Sequence, residues 1–399
     1  MAMKDALVVS PLRTPIGKFG GALAPLTADH LAATMIRTIV ERTGIPAETL
    51  DEVIVSQSYS SSEAPCMGRY AALLADLPIS VPGYTLDRRC GSGVQALANA
   101  AMMVKTGSAE AVLVCGVESM SNIEYYTTDM RWGARSGNVR FYDRLDRGRE
   151  RSQPVERFGV ISGMIETAEN LVREYGISRA EADAFAVRSH RNAATAWEEG
   201  RFEQEVVPLE VKTRKETVTV SRDEGIRADA SMESMGKLRP LMKDGVCTAG
   251  NSSQQNDAAS VCLIVSPEYA ERHKLAPLAK LVDWTAAGCD PAKMGIGPVP
   301  AVEKLLQRTG LGLSDIDLIE LNEAFAAQAL AVLRAWIMDD FSRVNVNGSG
   351  ISLGHPIGAT GLRIMTSLLY EMQRRDVRYG LETMCVGGGQ GMAVLFEKV

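Results

Sequence analysis

A cysteine stands where a strand gives way to a helix in Leu86-Asp-Arg-Arg-Cys90-Gly-Ser-Gly-Val-Gln-Ala-Leu-Ala-Asn. A thiol at a glycine-led helix start meets free N–H groups and the positive end of the helix dipole, which favour thiolate and lower the pKa. Arg88 and Arg89 add positive charge beside it. Such a thiol suits nucleophilic catalysis; the alternative is a small buried hydrophobe, the usual fate of a free cysteine. A second stretch, Asn345-Val-Asn-Gly-Ser-Gly-Ile-Ser-Leu-Gly-His355-Pro-Ile-Gly-Ala-Thr-Gly361, holds five glycines and one of the chain's 4 histidines. Glycine there lets backbone approach a ligand closely, and His355 is available as a base for an activated thiol. A phosphate cradle is the competing reading, but the run lacks the lysine of G-x-x-x-x-G-K-[ST], and its G-x-G-x-x-x-G spacing is not the dinucleotide fingerprint. His30, His190 and His273 sit on helical patterns among charged or polar neighbours and are expected at the surface.

Two further stretches carry polar groups in apolar surroundings. Met384-Cys385-Val-Gly-Gly-Gly-Gln-Gly-Met392 is a glycine turn joining two C-terminal strands, and a hairpin with a buried cysteine is the plain alternative. In Leu321-Asn322-Glu323-Ala-Phe325-Ala-Ala-Gln328 an Asn-Glu pair interrupts an apolar strand at the start of a helix, where an N-cap asparagine is the simpler reading.

These residues must be positioned by strands and helices, and the pattern supplies both. Ala6–Ser10 and Glu52–Ser56 read as buried strands; Thr27 to Arg42 has Leu31, Met35, Ile36 and Ile39 at helical spacing, with Thr27 placed to cap. Gly83–Asp87, a helix from about Gly93 to Val104 and the strand Ala111–Cys115 continue the alternation, which implies an α/β fold with helices on both faces of a sheet. The segment Arg42 to Val55 aligns without gaps on Arg308 to Leu321, sharing Arg-Thr-Gly and matching Asp51 to Asp317. Cys115-Gly-Val-Glu pairs more loosely with Cys385-Val-Gly-Gly. Such a duplication implies two similar halves related by a pseudo-two-fold axis. Between them, Arg131 to Arg157 carries eight arginines against four acids and reads as a surface excursion, and Gly163 to Arg201 is helical with a Ser178 cap.

Composition narrows the class. With 399 residues, 46% hydrophobic and 23% charged, the chain is an ordinary globular protein of two or three domains. A formal net charge of −6 argues against nucleic acid as a partner. No apolar run approaches the ~18–20 residues of a transmembrane helix. The start, Met1 to Pro15, does not read as a signal peptide. The 7 cysteines form no C-x-x-C pair, and no histidine lies at metal-ligand spacing from them, so no metal is expected; a reducing cytoplasm is the expected compartment.

Two cysteines, a histidine in a glycine loop and a strand-end asparagine together resemble the thiolase family. The resemblance covers essentially the whole chain in order, and includes Arg13-Thr-Pro-Ile-Gly-Lys-Phe-Gly-Gly, Gly116-Val-Glu-Ser-Met-Ser, Thr167-Ala-Glu-Asn, Lys237-Leu-Arg-Pro, Thr248-Ala-Gly-Asn-Ser-Ser-Gln-Gln-Asn-Asp and Met294-Gly-Ile-Gly-Pro-Val-Pro-Ala. It implies a thiolase fold: two duplicated α/β halves forming a five-layered αβαβα core, with a helical loop-domain insertion. The halves would be residues 1–120 with 250–274, and 275–399; the insertion, 121–249, would bind coenzyme A. The implied activity is acyl-CoA:acetyl-CoA C-acyltransfer, with CoA and acyl-CoA thioesters as substrates, no cofactor, and a homodimer or homotetramer as the assembly.

The resemblance also implies roles. Cys90 would be the acylated nucleophile, His355 its base and Cys385 the second acid/base at the α-carbon. His355 and an Asn322-bound water would hold the enolate oxygen, and the N–H groups of Cys90 and Gly387 the acyl-enzyme carbonyl, glycine at 387 allowing a close approach. Arg227 and Ser253 fall where the family binds coenzyme A, and Met164 and Met294 where it lines the substrate pocket. Asp87, Gly163 and Gln254-Gln255 depart from the common pattern and bear on acyl-chain preference. The rivals are a decarboxylating ketosynthase-like condensing enzyme, which would need no second cysteine, a catalytically silent lipid-binding relative, which would be expected to lose Cys90, His355 or Cys385, and an unrelated Cys–His hydrolase.

Overall fold

The computed structural model describes residues 3–161 and 163–399. The first half runs β1 (Leu7–Arg13), α1 (Ala28–Thr43), β2 (Glu52–Ser56), α2 (Met67–Leu74), β3 (Gly83–Leu86), α3 (Ser92–Thr106) and β4 (Ala111–Ser119). An excursion follows, containing α4 (Arg144–Glu150), α5 (Met164–Tyr175) and α6 (Arg179–Glu198), before β5 (Asn256–Val265) returns to the first half. The second half is β6 (Pro277–Gly288), α7 (Pro298–Thr309), β7 (Leu318–Leu321), α8 (Ala326–Ala335), α9 (Thr360–Arg375), β8 (Tyr379–Val386) and β9 (Gln390–Lys398).

The two stretches that match in sequence also match in structure. Each ends a helix on a left-handed glycine, Gly44 (φ 64°) or Gly310 (φ 72°), passes through a short 3₁₀ turn, and enters β2 or β7. A non-glycine residue pays a steric penalty at such angles, so the glycine is required by the turn. Asp51 Oδ2 accepts from the N–H groups of Glu110 and Ala111, at 2.7 and 3.0 Å, just where β4 begins. Asp317 Oδ2 does the same for Arg378 and Tyr379, at 3.0 and 2.8 Å, where β8 begins. One aligned aspartate thus pins the same parallel neighbour in each half. The cysteine pairing is corrected by this register. Val55 lies opposite Cys115, and its counterpart Leu321 lies opposite Thr383, so Thr383 is the equivalent of Cys115 and Cys385 lies two residues further along.

The strands form one ten-stranded sheet in the order β7-β8-β9-β6-β1-β5-β4-β2-β3, with Gly17–Lys18 added alongside β5. β6 and β1 pair antiparallel at its centre, and the order reads outward in matching fashion on either side. The residues of β4 and β5 are buried on both faces, with side chains alternating between separate apolar clusters. Ala111, Leu113 and Cys115 of β4 face α1 and α2, whereas Val112 and Val114 face a central layer. That layer is α3 and α9, packed between the two halves of the sheet through Leu97, Ala101, Leu362, Met365 and Leu369. The outer face of the second half is covered by α7 and α8 with α5 and α6. The result is five layers, αβαβα. The central helices touch backbone to backbone: a Cβ on Gly361 would lie 2.5 Å from the nitrogen of Val94, and one on Gly93 2.8 Å from Gly361 Cα.

The excursion departs from the expected helical insertion: its helices and two two-stranded ribbons are separated by long irregular segments, and Ser178 caps α6 in a reciprocal capping box with Glu181. Two sequence expectations fail in detail. Thr27 occupies the N-cap of α1, but its hydroxyl engages Asp29 and His30 and caps no N–H. His190 is buried, because α6 lies against the Gly225–Arg227 segment and Nδ1 accepts from the Arg227 N–H at 3.2 Å. Among the described residues no helix is long and apolar enough to cross a membrane.

Candidate active site

The loops that precede α3 and α9 converge at the bottom of a cavity of about 710 Å³. Cys90 comes from the first. Asp87 Oδ1 accepts from the Arg89 N–H at 2.6 Å, Ser92 Oγ donates to the Arg89 carbonyl at 2.6 Å, and Arg89 takes a left-handed φ of 51°. This tight turn aims the half-buried Cys90 into the cavity. A side-chain acceptor at 87 is what the turn uses, and an aspartate supplies it.

His355 comes from the second loop. Gly354 (φ 125°) precedes it, with no room for a Cβ, which would lie 2.6 Å from Asn256 Cγ. Asn256 Oδ1 accepts from the His355 N–H at 2.9 Å. Nδ1 lies 2.7 Å from the Thr360 hydroxyl, which in turn donates to the Pro356 carbonyl at 3.0 Å. That pattern assigns the imidazole proton to Nδ1 and the lone pair to Nε2. Burial, reinforced by Arg363 and Arg149, lowers the histidine pKa to about 3, so the ring is neutral near neutral pH. Glu118 ties the segment after β2 to the His355 loop: its carboxylate accepts from the N–H groups of Ser58 (3.1 Å), Tyr59 (3.2 Å) and Gly358 (2.9 Å), and burial raises it to about 7.

The thiol of Cys90 departs from the sequence expectation. Burial pushes it up; the Gly387 N–H directed at it, Arg89 and its own N–H pull it down but do not prevail. Cys385, at the end of β8, is fully buried, and burial, then the nearness of Cys90 and of Cys289, raises it well above an ordinary thiol. Asn322 is buried immediately after β7, not at a helix N-cap. Its N–H donates to the Thr383 carbonyl at 3.0 Å, its Nδ2 is 3.5 Å from His355 Nδ1, and its Oδ1 is buried without a partner among the described residues.

Of the residues singled out in the sequence, Cys90, His355, Gly387, Ser253, Met164 and Met294 line the cavity. Cys385 and Asn322 are fully buried and are not among the lining residues. Arg227 is exposed on the excursion and is not among the lining residues. Glycine at 387 is not there to relieve a clash with protein: a Cβ would find Met164 Sδ at 3.8 Å and Arg89 Cγ at 3.9 Å, ordinary contacts inside the cavity. Its missing side chain leaves space on the cavity side of the turn. Gly163 also lines the cavity, at φ 142°, an angle that favours glycine. Gln254 Nε2 bridges the carbonyls of Gly225 (3.1 Å) and Ile351 (3.0 Å), fastening excursion to glycine loop. Sequence reasoning missed Tyr59, Arg149, Thr360 and Cys289. Thr360 was visible inside the glycine run; the others have no local pattern.

The family description "Thiolase, N-terminal domain" matches residues 6–268, and "Thiolase, C-terminal domain" matches 275–398. A beta-ketothiolase of Cupriavidus necator is 43% identical over 399 residues, 99% of this chain and 100% of its own. Among solved structures, the Bacillus anthracis acetyl-CoA acetyltransferase superposes with a TM-score of 0.95 at 43% identity, covering 100% of both chains. Human mitochondrial 3-ketoacyl-CoA thiolase does so with a TM-score of 0.94 at 38% identity, again over 100% of both.

Proposed function

The chain belongs to the thiolase family, and we propose that it is an acyl-CoA:acetyl-CoA C-acyltransferase working through an acyl-Cys90 thioester. It cleaves 3-ketoacyl-CoA with CoA, and in reverse condenses acyl-CoA with acetyl-CoA, by a ping-pong course.

In cleavage, the Cys90 sulfur attacks the 3-keto carbon while His355 Nε2 takes its proton. The C2–C3 bond then breaks, leaving the acyl group on Cys90 and an acetyl-CoA enolate, which Cys385 protonates. The CoA thiol passes its proton to the Cys385 thiolate and attacks the acyl-Cys90 carbonyl, and acyl-CoA departs as the Cys90 sulfur takes back the proton held on His355. Burial keeps the His355 ring neutral at the outset, leaving the Nε2 lone pair free. A raised Cys385 keeps its proton until a carbanion needs it, which its burial likewise favours. The N–H groups of Cys90 and Gly387 would stabilise the oxyanion at the acyl carbon, and His355 with a water on Asn322 the enolate oxygen. The unpartnered Oδ1 of Asn322 supports that last role.

The segments 1–120 with 250–274 would supply the nucleophile, and 275–399 the remaining reacting groups. The insertion 121–249 would hold CoA with Arg227, aided by Ser253, while Met164 and Met294 bound the acyl space. CoA and its thioesters are substrates, and the scheme needs no cofactor. We place the protein in the cytoplasm, where its free cysteines stay reduced, as a homodimer or homotetramer.

The observation that carries the reading is the meeting of Cys90, His355 and the Gly387 N–H in one cavity. Acetyl-CoA should release CoA and leave an acetyl adduct detectable by mass spectrometry on the Cys90 peptide. An absent adduct, or one that persists in Cys90→Ala, refutes the nucleophile.

A further inference from the structure

A buried carboxylate with no part in the bond-making steps stands between the nucleophile and the base. Glu118, at the end of β4, is 1% exposed. Its Oε2 accepts from the N–H groups of Gly358 and Ser58, and its Oε1 from that of Tyr59. Gly358, three residues after His355, is held from both sides. Its carbonyl accepts from Ser56 Oγ at 2.7 Å, and a Cβ on it would stand 2.5 Å from the Val117 carbonyl oxygen. The His355 loop is therefore seated on the ends of β2 and β4.

Ser58 carries the contact on to Cys90. Its hydroxyl donates to the Arg89 carbonyl at 3.0 Å. That carbonyl shares a peptide plane with the Cys90 N–H, and in a trans peptide the two point in opposite directions. Holding the carbonyl from behind thus fixes the direction of the N–H assigned above to the acyl oxygen. Tyr59, the third partner, is a wall of the cavity.

Three donors suit an ionised carboxylate, which only accepts; a protonated acid sets its own O–H against one of them. Burial raises Glu118 to about 7, the three N–H groups oppose that rise, and Asp87 adds to it. The titratable and charged groups on the segments around it are Asp87, Arg89 and Cys90 of the nucleophile turn, Tyr59, His355, and Asp257 from the neighbouring β5. Tyr59 is pushed up to about 12 by burial and stays neutral, as does His355.

We propose that Glu118 is a positioning residue for acyl transfer: ionised, it holds the Cys90 peptide and the His355 loop at reacting distance, and protonated it loosens both. The proposal rests on the reading of Cys90 as nucleophile and His355 as base. Glu118 does not line the cavity and acts through Ser58 and Gly358.

The test follows single-turnover acetylation of Cys90 by acetyl-CoA across pH, in wild type and in Glu118→Gln, which is neutral throughout and brings an amide N–H2 against the three donors. The ratio of wild-type to variant rate is expected to be near one well below pH 7 and to rise through about that value. Above it the ratio should reach roughly 10- to 100-fold, the scale of a small displacement between reacting groups. Ser58→Ala should slow the step while keeping the wild-type pH dependence, because the Gly358 and Tyr59 contacts still titrate. A ratio that does not change with pH, or one that stays within about twofold everywhere, overturns the proposal and leaves Cys90 as nucleophile. If Glu118→Gln does not fold, a wild-type rate that is flat through pH 7, or Ser58→Ala as fast as wild type, overturns it instead. No acetylated Cys90 in wild type at any pH refutes the underlying reading and the proposal together.

Discussion

Removing the Thr360 hydroxyl tests whether one buried oxygen sets the protonation pattern of His355. The hydroxyl is fully buried, 2.7 Å from Nδ1, and its own proton is directed to Pro356. Thr360→Val keeps the β-branched shape and takes away the acceptor. The imidazole then has two choices. It can keep its proton on Nδ1, unpaired and buried, at a cost of about 1–3 kcal/mol, or move the proton to Nε2 and lose the base. Either way the reactive tautomer is disfavoured by that amount, which corresponds to about a 5- to 150-fold slower acylation. Thr360 does not line the cavity, so KM should change little. Single-turnover mixing with acetyl-CoA, quenched and read as acetylated Cys90, isolates the step. Thr360→Ser restores an acceptor and should recover most of the rate. A Val variant within about twofold of wild type, or a Ser variant as slow as Val, would refute the reasoning.

Cys385→Ser should still form the acetyl-enzyme from acetyl-CoA but lose carbon–carbon cleavage by orders of magnitude; full thiolysis in that variant contradicts its role. Gly361→Ala places a Cβ 2.5 Å from the Val94 nitrogen, where 3.4 Å is ordinary contact, so α3 and α9 must separate by several tenths of an ångström. The expected costs are about 1–3 kcal/mol of stability, read by denaturant unfolding, and a fall of up to about 100-fold in kcat; unaltered values for both would show that the contact is not limiting. His190 is held near a pKa of about 4 by burial, then by Arg227. The unfolded chain, with an ordinary histidine pKa of about 6.5, therefore binds the proton first as pH falls. That stability is present above pH ~6.5 and is lost as pH falls toward about 4. His190→Gln should flatten this part of the unfolding curve, and an unchanged slope would remove His190 as its cause.

What could be read from the sequence was whatever is coded locally. Cys90 at a strand-to-helix turn, His355 among glycines and the Arg42–Val55 duplication all announce themselves within a dozen residues, and the structure uses each of them. What could not be read depends on neighbours far along the chain. The Cys90 thiol was expected low from its helix end, but the burial that raises it comes from elements packed around it from elsewhere in the chain. His190 sits among polar residues, which suggested a surface, yet a segment nearly forty residues later covers it. The Arg131–Arg157 run read as a surface excursion throughout; its second part, α4, is a wall of the cavity, because Gly148 lets Arg89 and Tyr59 reach it. Cys115 and Cys385 were matched two positions out of register because glycines near both disguised the true partner, Thr383.

The bare contact between Gly93 and Gly361 puts no side chain between the two central helices, so no rotamer there can alter their separation. Cys90 stands three residues from one side of it and His355 six from the other. The spacing of nucleophile and base is thereby referred to a backbone contact, inside one sheet that runs unbroken through both halves.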